Sequence, residues 1–247
     1  MRLTRIYCNK AKQAHGRITL DKSRSRHLIT ALRTRLGAEL IVFNGQGKSF
    51  TATLIDAHSS KAIIKLGELQ PEIAPSSPRI MLIQGMARND RMDWIIQKAT
   101  ELGVYRILPA FTDHGIVKLD NKRSQKKLVH WQEIAIAACE QSGRSTLPIV
   151  EAAQPLTHWL QSENVQQGFV FDIGEYPSLN EFKPPQEQVQ LLIGSEGGLS
   201  EAELEMAVHY GMQKCRLGSQ VLRTETAALA AISTVQALWG DFRSSPL

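Results

Sequence analysis

Cysteines and long apolar runs are scarce in this chain. Its 247 residues include only three cysteines, Cys8, Cys139 and Cys215, which lie far apart and form no Cys-x-x-Cys pair. Neither a disulfide framework nor a zinc site is therefore predicted. No apolar run approaches the roughly 20 residues that a membrane-spanning helix requires, and none follows the first basic residues as in a secretory signal. We expect a folded cytoplasmic protein that has no membrane partner.

Metal-ligand spacing is also missing. The seven histidines show no pattern of paired ligands, so no metal is predicted.

Positive charge, in contrast, is concentrated at one end. Residues 1–79 hold 14 Lys and Arg against five Asp and Glu, whereas residues 80–247 hold 15 against 19. Ten of the cations lie in the first 35 residues. Because Lys and Arg that neutralise phosphates release condensed counterions, this asymmetry favours a nucleic-acid-binding module. A basic surface that serves only solubility is the alternative.

Short strands are predicted in this basic part, at residues 5–8, 39–43, 49–56 and 61–69, with a helical stretch at 23–33. Together they predict a small β-barrel that carries a basic helix. Three prolines between Pro71 and Pro78 interrupt all periodicity, which is typical of a linker. We place the domain boundary between residues 72 and 73.

Strands and helices alternate from Arg79 onward, as in a mostly parallel sheet covered by helices. The predicted strands are 80–85, 106–110, 168–172, 189–194 and 214–217. The predicted helices are 90–102, about 122–141, 156–161, 201–210 and 224–239.

The sharpest local pattern is Leu191-Leu-Ile-Gly-Ser-Glu-Gly-Gly198, an apolar strand that breaks into a glycine-rich turn. Ser200 and Glu203 form a capping box for the next helix. Glycines let backbone amides approach a ligand, and a helix start presents unpaired N–H groups, so a nucleotide-like ligand fits this turn. The turn lacks the sequence of a phosphate-binding P-loop and of a dinucleotide fingerprint. A purely structural turn explains it equally well.

A second strand-to-helix transition, Leu217-Gly-Ser-Gln-Val-Leu-Arg-Thr-Glu-Thr-Ala227, follows about 20 residues later. In a parallel sheet such loops gather at the carboxyl ends of the strands, where ligands bind. Arg223 and Glu225 stand at its junction with the helix. Glu225 alone has a structural explanation at a helix N-terminus, and Arg223 has one in a surface ion pair.

Four segments together resemble one known family. They are Lys98-Ala-Thr-Glu101-Leu-Gly, Glu140-Gln-Ser-Gly-Arg144, Ile193-Gly-Ser-Glu-Gly-Gly198 and the Leu217–Ala227 segment. In order and spacing they are similar to the RsmE family of 16S ribosomal RNA uracil-N3 methyltransferases, over nearly the whole chain. One departure is Ser195, which stands where the family usually has proline and is expected to loosen the turn.

The resemblance implies an α/β fold of the SPOUT class. A trefoil-knotted, mostly parallel sheet flanked by helices is expected over residues 73–247, after a small PUA-like β-barrel RNA-binding domain over 1–72. It also implies S-adenosyl-L-methionine as cofactor, a homodimer, and 16S ribosomal RNA or the small ribosomal subunit as substrate. Transferred by motif, the cofactor contacts are Phe171, Leu192, Ile193, Gly194, Glu196, Gly197, Gly198, Leu217, Gly218, Gln220 and Leu222.

Catalytic residues are predicted from the chemistry of the implied reaction. Uracil N3 bears a proton and is a poor nucleophile, so methylation there requires a base or a site that stabilises the deprotonated ring. Arg223 is predicted to stabilise charge on a carbonyl oxygen, and Glu225 to orient it or to help remove the proton. RNA contacts are predicted at Arg5, Arg17, Arg24, Arg26, Arg33, Arg88 and Arg144.

Two alternatives stay open. A methyltransferase of the same class that acts on another base or on a ribose would share the cofactor loops. A non-catalytic RNA-binding or ribosome assembly protein would explain the basic module equally well.

Overall fold

Two compact units divide the chain. Met1–Pro75 groups with Ile136–Leu147, and Ser76–Ala135 groups with Pro148–Leu247. The computed structural model describes residues 3–71, 77–88, 90–117, 120–163, 165 and 167–243. The predicted boundary between residues 72 and 73 falls outside the described residues and stays a prediction.

The first unit is built on a mixed five-stranded sheet of order β1-β3-β4-β5-β2. Its strands are β1 (Thr4–Tyr7), β2 (Arg17–Thr19), β3 (Glu39–Phe43), β4 (Ser49–Asp56) and β5 (Ile63–Leu69). β1 pairs parallel with β3, and the other neighbours are antiparallel. The four predicted strands are confirmed to within two residues. The sequence does not predict β2, because its exposed-buried-exposed alternation extends over only three residues, too few to identify a strand.

The predicted helix at 23–33 is shorter and less regular than expected. Helix α1 (Lys22–Arg26) begins at Asp21, whose side chain accepts the Arg24 N–H at 2.9 Å, and a π-helical turn (His27–Ala31) follows. The residues that point inward, among them Ser25 and Leu28, are buried against the sheet. The segment therefore has an anchored inner face and a basic outer face.

A seven-stranded parallel sheet forms the centre of the second unit. The strands are β6 (Arg79–Gly85), β7 (Arg106–Phe111), β8 (Ile149–Val150), β9 (Gln154–Pro155), β10 (Gly168–Phe171), β11 (Gln188–Ile193) and β12 (Met212–Cys215). The order is β12-β10-β11-β6-β7-β8, with β9 also paired to β7. Every pair in this sheet is parallel, so the predicted sheet type is confirmed.

Helices cover both faces of this sheet. They are α2 (Asp90–Glu101), α3 (Asn121–Ser142), α4 (Leu156–Ser162), α5 (Glu201–His209) and α6 (Thr224–Trp239), with a 3-10 turn at Leu179–Glu181. Along β6, Ile80 and Leu82 pack in one core cluster with α2 and α6, whereas Met81 and Ile83 pack in another with α4 and α5. Successive side chains of a strand point to opposite faces, so a continuous apolar run is what a doubly covered strand requires.

Helix length and polarity bear on membrane insertion as well. Among the described residues, no helix is both long enough and apolar enough to cross a membrane.

Candidate functional site

The carboxyl ends of four neighbouring strands, β12, β10, β11 and β6, meet at one edge of the parallel sheet. A cavity of about 470 Å³ lies there. Its wall consists of residues 171–173, 193–196, 198–199 and 217–224, together with Arg91 and Ala227. The volume and position are those of a small-molecule site in an open α/β sheet.

The glycine-rich turn after β11 packs closely against the end of β6, and it can do so only because glycines stand at the points of contact. A Cβ on Gly194 would lie 2.7 Å from the carbonyl carbon of Gly198, and a Cβ on Gly85 would lie 2.4 Å from the Ser195 amide nitrogen. Gly198 has a φ of 74°, in the left-handed region that favours glycine. The end of β6 and the turn are therefore in direct backbone contact.

A buried polar group ties the turn to two neighbouring elements. The Gln84 amide nitrogen, at the end of β6, donates to Thr224 Oγ1 at 2.8 Å, to the Gly85 carbonyl at 3.0 Å and to the Gly194 carbonyl at 3.3 Å. Thr224, the first residue of α6, donates its own hydroxyl to the Gly194 carbonyl at 2.6 Å. Because Gln84 is fully buried, these bonds are shielded from water and fix the Gly194 carbonyl.

The second loop, after β12, presents its backbone to the cavity. Gly218 has a φ of 88°, and none of the amides from Leu217 to Leu222 donates a hydrogen bond to another described residue. Arg223 is the N-cap residue of α6, and its exposed side chain lines the cavity without an ion pair inside the described part of the chain. This loop therefore presents N–H donors and a guanidinium that no other described residue engages.

Most of the predicted cofactor contacts lie together on the cavity wall. They are Phe171, Ile193, Gly194, Glu196, Gly198, Leu217, Gly218, Gln220 and Leu222. Leu192 is instead buried in the core, since its side chain points to the face covered by α4 and α5. Gly197 lies on the outer side of the turn, where its carbonyl is 3.0 Å from His114 Nδ1. That these residues hold a cofactor stays a prediction.

The two predicted catalytic residues have different surroundings. Arg223 is on the cavity wall, but Glu225 is outside the set of described residues that line it. The Glu225 side chain is only 16% exposed, and its Oε1 is 3.8 Å from Arg91 Nε. Its second oxygen, Oε2, is buried and has no hydrogen-bond partner among the described residues.

Arg91, in the first turn of α2, was not predicted from the sequence. Its guanidinium lies between two carboxylates: NH1 is 3.0 Å from Glu196 Oε1, and Nε approaches Glu225. Although burial raises the pKa of Glu196, the hydrogen bond from the Arg88 amide and the charge of Arg91 bring its pKa below the ordinary value. Asp90 and Asp93 flank Arg91 in the first turn of α2, where acidic residues are typical of a helix N-terminus and do not by themselves indicate a site.

Ser195, the departure from the family pattern, is buried and forms local hydrogen bonds. Its hydroxyl accepts from Thr112 Oγ1 at 3.3 Å and donates to the Gly198 carbonyl at 3.4 Å. The turn is thus closed by side-chain contacts at the position where a proline ring would restrict it.

The predicted RNA contacts of the first unit fall into two groups. Arg17, Arg26 and Arg33 are exposed, and Arg33 has a φ of 51°, which is unusual for a residue other than glycine. Arg24 is buried, with NH1 3.8 Å from Glu140 Oε1 and its guanidinium over the Tyr7 ring.

The other two arginines of this unit contact each other. Arg5 NH2 donates to the Arg144 carbonyl at 3.2 Å and to Ser145 Oγ at 3.0 Å. In the second unit, Arg88 is exposed, and its backbone N–H donates to Glu196 Oε1 at 2.9 Å. An RNA-binding role for all seven arginines stays a prediction.

Comparison with known proteins identifies the family. An RNA methyltransferase domain matches residues 75–236, and an RNA methyltransferase PUA domain matches residues 20–67. The ribosomal RNA small subunit methyltransferase E of Buchnera aphidicola is 33% identical over 97% of this chain and 98% of its own. That of Bacillus subtilis is 30% identical over 85% of each chain.

A solved structure agrees with these relatives. The ribosomal RNA small subunit methyltransferase E of Neisseria gonorrhoeae, crystallised with S-adenosyl methionine, superposes with a TM-score of 0.92 at 35% identity, over 98% of this chain and 100% of that one. The resemblance drawn from the four sequence segments is therefore confirmed. The chain belongs to the ribosomal RNA small subunit methyltransferase E family of RNA methyltransferases.

Proposed function

We propose that this protein transfers a methyl group from S-adenosylmethionine to N3 of a uridine in 16S ribosomal RNA of the small subunit. The observation that carries the proposal is the cavity formed by the two glycine loops, with Arg223 on its wall. Membership of the family gives the reaction class, and N3 of uracil comes from the family resemblance.

The cavity suits S-adenosylmethionine in size and in chemistry. Ile193, Leu217 and Leu222 supply apolar wall. The amides of the second loop are donors without a partner among the described residues, and Glu196 and Asp172 supply negative charge for a cationic ligand. When bound, this cofactor supplies a methyl group on a positively charged sulfur. The residues of the two loops would hold it in the cavity and would limit the access of water to it.

Arg223 acts on the uracil. Transfer of the methyl group to N3 forms the N–CH₃ bond while the S–CH₃ electron pair stays on sulfur, and the N3 proton passes to solvent. As that proton leaves, negative charge spreads onto the uracil carbonyl oxygens, and a guanidinium beside one of them stabilises the transition state. For Glu225 we propose an orienting role, directed at Arg91 rather than at Arg223, since its Oε1 lies 3.8 Å from Arg91 Nε; its Oε2 is buried and has no hydrogen-bond partner among the described residues, so Glu225 is not proposed as the base.

The first unit holds the RNA. Its exposed cations, which include Arg17, Arg26 and Arg33, contact phosphates, while Arg24 holds the basic helix in place through Glu140. Uracil N3 normally lies inside a base pair, so the target is unpaired or flipped out of the stack.

Assembly and location complete the proposal. A homodimer is supported by the apolar rim of the cavity, where Ile173 and Val221 are 72% and 73% exposed. The trefoil knot and the cytoplasmic location follow from the family resemblance. Sedimentation equilibrium tests the dimer directly, and a monomer at micromolar concentration would contradict it.

Calorimetric titration with S-adenosylmethionine is the first test of function. The wild type is expected to bind saturably, and Gly198→Val and Gly218→Val to lose binding while folded, because both side chains would enter the cavity loops at positive φ. Arg223→Ala is expected to keep RNA affinity but lose roughly 10²–10³-fold in turnover. Mass spectrometry of the methylated nucleoside identifies the atom; a methyl group on a ribose or another base would refute the N3 assignment.

A further inference from the structure

Arg91 is a second arginine on the cavity wall, and it reaches the cavity from a different element than Arg223. Arg91 belongs to α2, whereas Arg223 caps α6. Its side chain is 42% exposed. Of its three nitrogens, NH1 faces Glu196 and Nε faces Glu225, while NH2 has no partner in the described part of the chain. A guanidinium carries five N–H donors, so several remain for a ligand in the cavity.

We infer that Arg91 is a second catalytic arginine, which donates to the uracil carbonyl on the side of N3 opposite the one held by Arg223, and that Glu196 and Glu225 are its positioning residues. The inference rests on the proposed function. Uracil N3 is flanked by two carbonyl groups, O2 and O4, and loss of the N3 proton spreads charge onto both. Two arginines on one wall match two oxygens.

The two carboxylates explain how a long side chain is held ready. Arginine loses rotamer freedom when it is fixed, and ion pairs on two sides fix it before substrate arrives. With Glu196 and Glu225 ionised, the three groups carry a net charge of −1. That balance favours a cationic methyl donor nearby, yet it leaves guanidinium N–H groups directed at the substrate oxygens.

The position of Glu225 supports this division of roles. Glu225 is not among the described residues that line the cavity, and only its Oε1 approaches a cation. A general base has to lie within hydrogen-bond reach of the proton that it removes. Glu225 instead contacts the cavity through Arg91, and Glu196 links the same arginine to the glycine turn.

The test compares single-turnover methylation of unmodified small ribosomal subunits with the affinity for S-adenosylmethionine, measured by calorimetry. Arg91→Met is expected to slow methyl transfer roughly hundredfold, as removal of one charge-stabilising donor does. Its affinities for cofactor and for RNA are expected to stay within about threefold of wild type. Arg91→Lys keeps the positive charge but lacks the planar, forked N–H donors of a guanidinium, so its rate should lie between those of Arg91→Met and the wild type. As a control, Arg79→Met removes a similarly exposed arginine at the end of β6 that lies away from the cavity. It should change neither the rate of methyl transfer nor the affinity for S-adenosylmethionine.

The role of Glu225 is tested by a double-mutant cycle. If Glu225 acts through Arg91, Glu225→Gln slows the wild type but slows Arg91→Met by no more than about twofold. Equal losses in both backgrounds would show that Glu225 acts independently and would overturn its positioning role. A target 5-fluorouridine, whose N3 proton is more acidic, should reduce the Arg91→Met defect.

Two results would overturn the role of Arg91. An unchanged defect with 5-fluorouridine is one, because charge stabilisation would then not be what Arg91 supplies. Cofactor affinity weakened tenfold or more in Arg91→Met is the other, because Arg91 would then hold the cofactor rather than the uracil. A wild type that binds no S-adenosylmethionine would instead refute the proposed function itself, and with it the basis of this inference.

Discussion

Replacement of Gln84 by methionine tests whether the glycine turn is held by the elements around it. Methionine keeps the length and apolar stem of glutamine but removes the amide that bonds Thr224 Oγ1, the Gly85 carbonyl and the Gly194 carbonyl at 2.8–3.3 Å. Each such bond contributes about 0.5–1.5 kcal/mol. Gly194 keeps its bond from Thr224, and the buried Gln84 Oε1, which has no partner among the described residues, disappears as well. We therefore expect a net destabilisation of about 2 kcal/mol.

Cofactor affinity separates a loss of loop geometry from a loss of stability. Without Gln84, part of the binding free energy has to be used to order the turn that carries Gly194 and Ser195. The Kd for S-adenosylmethionine should therefore rise about tenfold, which corresponds to about 1.4 kcal/mol. The assays are urea denaturation and calorimetric titration of the same preparations.

A matched control lies at the other end of α6. Gln236 is also buried, donates to the Leu102 carbonyl at 2.7 Å and accepts from the Asp241 amide at 3.0 Å. Gln236→Met should therefore destabilise the protein by a similar amount of about 2 kcal/mol without changing the Kd. Equal Kd values for wild type and Gln84→Met, or equal weakening in both variants, would refute the proposed link between Gln84 and the turn.

Two further predictions concern the first unit and the buried thiols. Arg26→Met should weaken RNA binding and reduce its salt dependence by about one phosphate contact, as measured by filter binding at several salt concentrations. Arg24→Met should instead lower the unfolding free energy by on the order of 1–3 kcal/mol, as measured by urea denaturation, because it loses the contact with Glu140. Loss of RNA binding in Arg24→Met together with loss of stability in Arg26→Met would contradict the inward placement of Arg24. Burial raises the pKa of Cys139 and of Cys215 to about 11, so both thiols should resist alkylation at pH 8 in the folded protein. Rapid labelling at pH 8 would contradict the burial. Because folding raises both pKa values, the protonated thiols contribute to the free energy of unfolding fully below the ordinary thiol pKa near 9, and this contribution is lost as pH rises through about 11. Denaturation at several pH values from 8 to 11 measures that loss.

Long apolar strands and capped helices were predictable because each carries its own signal. β6 contains the unbroken apolar run 80–83 and β11 ends on the apolar run 191–193, and the capping box at Ser200 and Glu203 that starts α5 is present as expected. β8 and β9 have two residues each, too few for any period to be visible. They owe their strand conformation to pairing with β7, which only the folded chain provides.

Side-chain direction limited the prediction of the basic helix. The sequence shows that Arg24 and Arg26 are both cations, but residues two positions apart in a helix point about 200° away from each other around the helix axis. One therefore points toward Glu140 and the other toward solvent. Charge density predicted a nucleic-acid surface, whereas the direction of each arginine depends on where α1 is anchored.

Arg91 shows why the loops of the site were predictable and one of its cations was not. Glycines and helix starts are local features, so each loop could be identified from its own residues. Arg91 and Glu196 are 105 positions apart, and their contact depends on β6 and β11 being neighbours in register. No spacing in the sequence expresses that adjacency.

In the glycine turn, Ser195 stands where the family usually has proline. A proline would restrict the turn through its own ring, whereas Ser195 is held by Thr112 and Gly198 at 3.3–3.4 Å, which are long hydrogen bonds. Inside the turn, the Gly198 N–H also donates to the backbone carbonyl of residue 195 at 3.0 Å, a bond that a proline at 195 could accept equally well. Further constraints come from outside the turn: the Thr224 hydroxyl at 2.6 Å and the close backbone contact at Gly85. Since β6 and α6 supply these constraints, the turn should keep its conformation with either residue. The identity of residue 195 then matters less for cofactor binding than the buried amide of Gln84 beneath it.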